Sequence, residues 1–125
     1  LFATIADVDK EKALPLIRRF YNLGFNIEGT KGTAEFLRQN GIRTRYRAKL
    51  SEGSDEIFTA LRQGHINYVI NTMDISQGDS TRDGYEIRRC AVENNVSIFT
   101  SLETVQVLLD VLEEITLGVS TIDAE

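Results

Sequence analysis

The sequence predicts an α/β protein, a three-layer Rossmann-like sandwich built on a five-stranded parallel sheet. Short apolar runs alternate along the chain with longer amphipathic stretches, which is the pattern of βαβ units. The 125 residues, of which 42% are hydrophobic, suffice for one core in a single domain. The sequence has no internal repeat and only one proline. A parallel sheet with helices on both faces accounts for these features together.

The first strand and the first helix are predicted from an apolar run and a helical repeat. The strand covers about Phe2–Ala6, and Asp9 can cap a helix that runs toward Gly24. Pro15 falls inside this helix, so we expect either a kink or a start near Ala13. The apolar positions that recur at helical spacing are Leu14, Ile17, Phe20, Tyr21 and Leu23.

The next segment repeats the alternation of strand and helix. Phe25–Glu28 is predicted as the second strand, and a helix follows Thr30–Thr33 and ends at Gln39, before an Asn-Gly pair. Arg43–Leu50 is predicted as the third strand, and residues 51–54 as an irregular connection.

The second half of the chain contains the most apolar predicted strand. Asp55–Gln63 is predicted as a helix that Gly64 ends, and Ile66–Ile70 as a buried strand. A polar stretch from Asp74 to Gly84 then precedes a predicted helix over Tyr85–Asn94.

The last predicted strand and helix complete the sheet. Val96–Thr100 is the fifth strand and Leu102–Ile115 the last helix. Residues 117–125 are predicted to be a frayed tail or a link, so the domain itself is assigned to residues 1–116.

Charge and composition exclude several classes of partner. A net charge of −5 argues against indiscriminate binding of nucleic acid or of anionic membranes. No run approaches the roughly 18 consecutive apolar residues that a membrane span needs. Leu1–Ile5 has neither a methionine nor a basic n-region, so we expect a piece of a longer chain and no signal peptide. With its single cysteine, the chain is expected to be cytoplasmic.

Cys90 and His65 carry no signature of a reactive site. Cys90 has no disulfide partner in the chain and lies in a helical stretch, where an inert packed thiol is expected. His65 follows Gly64 in a turn, and the chain has no second histidine to give metal-ligand spacing. We therefore predict no metal site.

Thr30-Lys31-Gly32-Thr33, between the second strand and its helix, has the components of a phosphate cradle. Two hydroxyls, a glycine and the free N–H groups of a helix start suit a phosphate, although helix capping alone is the alternative. Lys10 lies in the first turn of a helix, where the dipole disfavours a cation unless an anion is bound. The alternative is a solvated lysine offset by Asp9 and Glu11.

Basic residues alternate along the third predicted strand. Arg43, Arg45, Arg47 and Lys49 fall on one face of it, and such rows are usually solvated or protect an edge strand. Lys49, nearest the carboxyl end, is the one placed to reach a ligand.

Polar groups also follow the fourth predicted strand. Asn71-Thr72 offers an amide and a hydroxyl that could orient a base or a sugar, because ligands of such sheets bind beyond the carboxyl ends of the strands. Asp55 is the one carboxylate considered as a base, with helix N-capping as the alternative.

In this order and at these spacings, these residues resemble the methylglyoxal-synthase-like domain family, over about Phe2 to Leu112. They look most like the allosteric domain that ends the large chain of bacterial carbamoyl-phosphate synthases. The markers are Asp9-Lys10-Glu11, Gly24-Phe25, Thr30-Lys31-Gly32-Thr33-Ala34, Asn40-Gly41-Ile42, Lys49, Glu52-Gly53, Tyr68-Val69-Ile70-Asn71-Thr72 and Ile87-Arg88-Arg89.

The resemblance implies a non-catalytic regulatory domain without a cofactor of its own. The parent chain would use ATP with Mg or Mn and a glutaminase small chain to make carbamoyl phosphate for pyrimidine and arginine synthesis. This domain would bind a nucleotide effector, with UMP as the expected inhibitor. The sequence leaves open whether IMP, ornithine or phosphoribosyl pyrophosphate activates.

The resemblance also assigns residues to the effector site. By position, the phosphate contacts are Lys10, Thr30, Thr33 and Lys49. The neighbouring contacts are Thr4 and Asn71, together with Thr72, which follows Asn71 in the sequence. A family threonine is replaced by Met73 here, which leaves the base or sugar end of the pocket open. Thr100 matches a position that touches ornithine in some relatives.

Two other functions are possible from the sequence. The family's enzyme, methylglyoxal synthase, eliminates phosphate from dihydroxyacetone phosphate with an aspartate base and a histidine electrophile. Ser54-Asp55 matches the base loop only roughly, and His65 lies before the fourth strand, away from where an electrophile is needed. A purely structural or oligomer-forming role is the other alternative.

Overall fold

The computed structural model contains one parallel sheet with helices on both of its faces. It describes residues 1–48, 55–72 and 78–124, with side chains described for 1–48, 55–72 and 85–116. The strands are β1 (Phe2–Thr4), β2 (Ile27–Gly29), β3 (Thr44–Tyr46), β4 (Tyr68–Asn71) and β5 (Ser97–Phe99). The helices are α1 (Lys10–Asn22), α2 (Lys31–Gln39), α3 (Glu56–Arg62), α4 (Gly78–Glu93) and α5 (Leu102–Ala124), and a short 3-10 turn covers Asp7–Asp9.

The strand order creates a switch point in the sheet. The order is β3-β2-β1-β4-β5, and every pairing is parallel. The chain builds outward from β1 to β3 and then crosses back to add β4 on the other side of β1. The crevice beyond the carboxyl ends of β1 and β4 is where doubly wound sheets bind ligands. The predicted fold class and all-parallel sheet are confirmed.

Alternating residues of the strands pack into two separate hydrophobic cores, one on each face of the sheet. Ala3, Ile27 and Ile70 pack on one face against helices α1, α2 and α5. Phe2 and Val69 point to the opposite face, where α3 and α4 cover them. The period of two along each strand therefore distributes apolar side chains to both layers, as expected for a parallel sheet buried on both sides.

Helix α1 begins directly after Asp9, the residue predicted at its cap, despite the proline inside it. It starts at Lys10, with Asp9 at the N-cap, and the Asp9 side chain makes no capping hydrogen bond. The predicted start near Ala13 is therefore wrong. Pro15 is tolerated because the helix buries the apolar face containing Ile17 and Phe20, whose packing outweighs one missing hydrogen bond.

Two other helices are longer than predicted. α4 begins at Gly78 and includes much of the polar stretch that was predicted to precede it. α5 continues to Ala124, so the predicted helix end at Ile115 and frayed tail are wrong as secondary structure. The functional division at residue 116 stays a prediction.

An ionic cluster ties α1 to α5. Arg19 donates to Asp110 at 2.7 Å and also to both oxygens of Glu113. The hydrogen bond from Arg19 holds the pKa of Glu113 below its usual value. Because Asp110 is exposed and Arg19 and Glu113 are partly exposed, solvent screens the ion pairs, and the cluster positions the two helices more than it stabilises them.

The Cys90 thiol is expected to react slowly. Partial burial on α4 raises its pKa, so the thiolate that carries the reactivity is scarce at neutral pH. Alkylation of the native protein by iodoacetamide at about pH 7 should be at least tenfold slower than in urea. Mass spectrometry over time measures both rates, and equal rates would show that the thiol is fully accessible and that the fold does not lower its reactivity.

Candidate functional site

The carboxyl ends of β1, β2 and β4 bring polar side chains together at the switch point. Thr4 ends β1 and pairs in register with Asn71 at the end of β4. Thr30 follows β2, lies at the N-cap of α2, and donates its hydroxyl to Thr4 Oγ1 at 3.3 Å. Thr30 and Asn71 are each 3% exposed, so this arrangement is set within the fold and not on a mobile surface.

Two threonines hold the turn between β1 and α1 through its backbone. The N–H of Ile5 donates to Thr33 Oγ1 at 3.0 Å, and the N–H of Ala6 donates to Thr72 Oγ1 at 2.8 Å. These bonds use acceptor lone pairs of the hydroxyls, so they do not consume the hydroxyl protons. Thr33 and Thr72 therefore shape the turn and can still donate to an anion.

Lys10 lies beside the start of α2. Its Nζ would be 3.2 Å from a Cβ added to Gly32, so a side chain at Gly32 would crowd the ammonium. Lys10 forms an ion pair with Asp7, whose side chain is 71% exposed. The lysine is thus held over the N-terminus of α2, the end of a helix that attracts anions.

Six polar side chains at the carboxyl edge of the sheet form the switch-point cluster. Its members are Thr4, Lys10, Thr30, Thr33, Asn71 and Thr72. They are six of the predicted effector residues, and the fold brings them to one edge of the sheet. One ammonium, hydroxyls, an amide and the free N–H groups of a helix start are donors suited to a phosphate.

The remaining predicted site residues lie outside this cluster or outside the described residues. Thr100 follows β5 and is exposed. Phe99 pairs with Ile70, so Thr100 lies next to Asn71 in the register, on the neighbouring strand. Lys49 and Met73 are not among the described residues, so their roles stay predictions.

The row of arginines on the third strand is not uniformly solvated. Arg43 and Arg45 are exposed, but Arg47 is buried and donates to Glu28 Oε1 through Nε and Nη2, at 3.1 and 2.8 Å. The expectation that such a row is solvated fails at Arg47, because Glu28 on the neighbouring strand faces it. β3 is an edge strand of the sheet, so its exposed arginines also protect that edge from pairing.

The two residues of the enzymatic alternative do not share a site. His65 is exposed in the turn before β4, at the amino edge of the sheet, whereas Asn71 and Thr72 lie at the carboxyl edge. Asp55 is exposed at the N-cap position of α3, and its side chain makes no capping hydrogen bond. The predicted capping bond of Asp55 is therefore wrong.

Sequence reasoning missed Asp7 and the structural roles of Thr33 and Thr72. The lysine was expected to be offset by Asp9 and Glu11, but its partner is Asp7, because the 3-10 turn folds back toward the first turn of α1. The backbone partners of the threonines lie 28 and 66 residues away, so no local pattern predicts them.

The described residues contain neither a membrane-spanning helix nor a group of metal ligands. In the ranges 1–48, 55–72 and 78–124, no helix is both long and apolar enough to cross a membrane. Among the same residues, no three His, Cys, Asp or Glu side chains are grouped so that they could hold a metal ion.

The fold and the switch-point cluster define a doubly wound α/β domain with polar groups at the crevice where sheets of this type bind ligands. The family model of the MGS-like domain matches residues 12–100. The chain therefore belongs to the MGS-like domain family, as the sequence resemblance predicted.

Similar proteins support both the family and the fold. The chain is 38% identical, over 89% of its length, to a carbamoyl phosphate synthase large chain of Clostridium botulinum strain Langeland. The match to the strain Loch Maree chain is 37% identical, and in both cases the chain spans 10% of the relative's length. The crystal structure of methylglyoxal synthase from Elizabethkingia anophelis superimposes with a TM-score of 0.70, covering 86% of this chain and 74% of that one. At 15% identity, this last likeness concerns the fold.

Proposed function

We propose that this domain binds the phosphate of a nucleotide effector and thereby regulates a carbamoyl phosphate synthase. UMP is the proposed inhibitor, and the proposed partners are the remainder of the large chain and its glutaminase small chain. The regulated reaction would use ATP with Mg or Mn and supply carbamoyl phosphate to the pyrimidine and arginine pathways. The convergence of Lys10, Thr30 and Thr33 at the N-terminus of α2 is the observation that carries this proposal.

The surroundings of Lys10 favour an anionic ligand. Its side chain is 17% exposed and adjoins the start of two helices, where positive charge is otherwise disfavoured. The exposed Asp7 is a weak counter-ion for it, since surface ion pairs contribute about 0–1 kcal/mol. A phosphate seated over α2 would interact with the lysine and the helix dipole at the same time.

Regulation requires that the effector prefer one state of the whole synthase. A ligand shifts an equilibrium only by its difference in affinity for the two states, which in allosteric proteins is typically about 1–3 kcal/mol. The bonds from Ile5 and Ala6 to Thr33 and Thr72 give a route for that preference, because a phosphate on the two hydroxyls would stiffen the β1–α1 turn. We propose that this turn transmits the effect to the neighbouring domains of the parent chain.

Calorimetric titration of this chain with UMP tests the proposal. We expect saturable binding of UMP that is at least tenfold tighter than binding of uridine, because the phosphate supplies the charge-assisted contacts. IMP, which carries a purine base, tests whether the site distinguishes bases. Dihydroxyacetone phosphate tests the enzymatic alternative. Absence of UMP binding, with dihydroxyacetone phosphate converted to methylglyoxal, would replace the regulatory function with the lyase function.

Removal of the Asp7 charge should strengthen phosphate binding. In Asp7→Asn, Lys10 loses a competing anion and the site loses a repulsive charge, so we expect UMP to bind roughly two- to fivefold tighter. Uridine affinity should not change. Glu11→Gln, which removes the same charge from an exposed position in the first turn of α1, is the matched control. If both variants raised UMP affinity equally, the effect would come from the overall negative charge of the domain and not from competition for Lys10.

A further inference from the structure

A groove opens at the amino edge of the sheet, between the end of α1, where Leu23 and Gly24 line it, and the side chains of β2 and β3. It has a volume of about 570 Å³, within the range of small-molecule pockets. We call it the β2–β3 groove. Its polar lining residues are Asn26, Glu28, Arg45, Arg47, His65 and Asn67.

The register of the sheet explains why this groove exists. Phe2 pairs with Glu28, and Glu28 with Arg45, so the three side chains lie on one face. On that face, α3 and α4 pack against Phe2 and Val69 of the central strands. The described helices with extensive contacts to β2 and β3 are α1 and α2, and the polar side chains of these strands line the groove.

The groove is distinct from the switch-point cluster. Asn26 precedes β2, and His65 and Asn67 precede β4, so these residues lie at the amino edge of the sheet. The cluster around Thr4 and Asn71 lies at the carboxyl edge. No residue is shared between the two sets.

The charges in the groove favour an anion. Arg45 is exposed within it and Arg47 forms its floor, against the single carboxylate Glu28. Arg43 adjoins the same strands in a smaller neighbouring cavity. This positive patch belongs to a chain whose net charge is −5, so it is not part of a generally basic surface.

A buried ion pair between Arg47 and Glu28 fixes the side chains at the bottom of the groove. The side chains of Arg47 and Glu28 are each 11% exposed, and their ion pair holds the guanidinium in one orientation. Apolar residues of the same volume often stabilise such a position as well as a buried ion pair does, because the pair must first be desolvated. Packing alone therefore does not account for the charges. A fixed guanidinium beneath an exposed one is instead suited to an oxyanion that accepts from two directions.

We propose that the β2–β3 groove is a second ligand site, which binds a compact anion with two or more negative charges, of phosphate or carboxylate chemistry. Arg45 provides the direct ionic contact. Arg47, oriented by Glu28, supports it from the floor, and the amides of Asn26 and Asn67 donate at the rim. The proposal is independent of the nucleotide site, because it uses other residues at the opposite edge of the sheet.

NMR titration tests this site with citrate and inorganic pyrophosphate as the probes, at about 0.1 M salt to screen weak surface contacts. We expect saturable shifts of the Arg45 and Arg47 Nε–Hε signals and of the Asn26 and Asn67 side-chain amides, with a dissociation constant below about 1 mM. Stronger binding of one probe identifies phosphate or carboxylate as the preferred chemistry.

Two matched variants decide the outcome. Arg45→Gln should weaken binding of the better probe by about tenfold or more, whereas Lys12→Gln, an equal charge loss on exposed α1, should leave it within about twofold. Pyrophosphate shifts confined to Lys10, Thr30 and Thr33 would overturn the second site while supporting the first. Equal weakening in both variants, or absence of saturation with both probes, would also overturn it.

Discussion

Replacement of Arg47 by methionine is expected to lower the free energy of unfolding by about 2–3 kcal/mol. The change removes the partner of Glu28, whose carboxylate is buried on the face of β2 and accepts both hydrogen bonds through one oxygen. An unpaired buried carboxylate costs about 3–5 kcal/mol, and the slight exposure of this pair places the expected loss at or below the lower end of that range. Urea denaturation followed by circular dichroism measures it.

Two further variants separate the ion pair from loss of packing. In Arg47→Met/Glu28→Leu, the unpaired charge is gone, and stability should return to within about 1 kcal/mol of the parent protein. Arg45→Met, on the same strand but exposed, should change stability by less than about 0.5 kcal/mol. A double variant as unstable as Arg47→Met would show that the guanidinium contributes through its stem and not through its charge.

The fold class could be predicted from the sequence because it depends on local periodicity. Strands of a doubly buried parallel sheet are apolar runs, and the intervening helices repeat apolar residues at a period of 3.6. Ile66–Ile70 and the repeat around Ile17 and Phe20 carry that signal, and the structure contains β4 and α1 there. The start of α4 lacked the signal, because a helix beginning Gly-Asp-Ser-Thr resembles a polar loop.

The candidate site could be predicted in part for a different reason. A parallel sheet brings the ends of its strands to one edge, so Thr4, Thr30 and Asn71 converge once the strands are known. The ion pairs could not be predicted, because they depend on register between strands distant in sequence. Arg47 looks like its exposed neighbours Arg43 and Arg45 until β2 places Glu28 beside it.

The hydrogen bonds to the threonines change which variants are informative. Thr33 is buried and accepts from the N–H of Ile5, so Thr33→Ala would leave a buried donor unpaired as well as remove a ligand contact. An unsatisfied buried group costs about 1–3 kcal/mol, which would confuse stability with affinity. Lys10 is the better position to test the phosphate site, because its ion-pair partner Asp7 is exposed.

Lys10→Met is expected to weaken UMP binding by roughly 10- to 150-fold, with little change in stability. The affinity loss follows from one charge-assisted hydrogen bond, worth about 1.5–3 kcal/mol. Stability should change little because the exposed ion pair with Asp7 contributes little, and because a cation in the first turn of α1 opposes the helix dipole. Calorimetric titration and urea denaturation of the same preparations measure the two quantities.

A ligand without phosphate and a variant of a neighbouring lysine provide the controls. Uridine lacks the phosphate, so its affinity should be the same for Lys10→Met and the parent protein. Lys12→Met removes an equal charge from the exposed surface of α1 and should change UMP affinity by less than about threefold. If uridine and UMP were weakened alike, Lys10 would act by shaping the crevice. If neither were weakened, the phosphate would lie elsewhere, and the fixed guanidinium of Arg47 with Arg45 would be the next site to test for it.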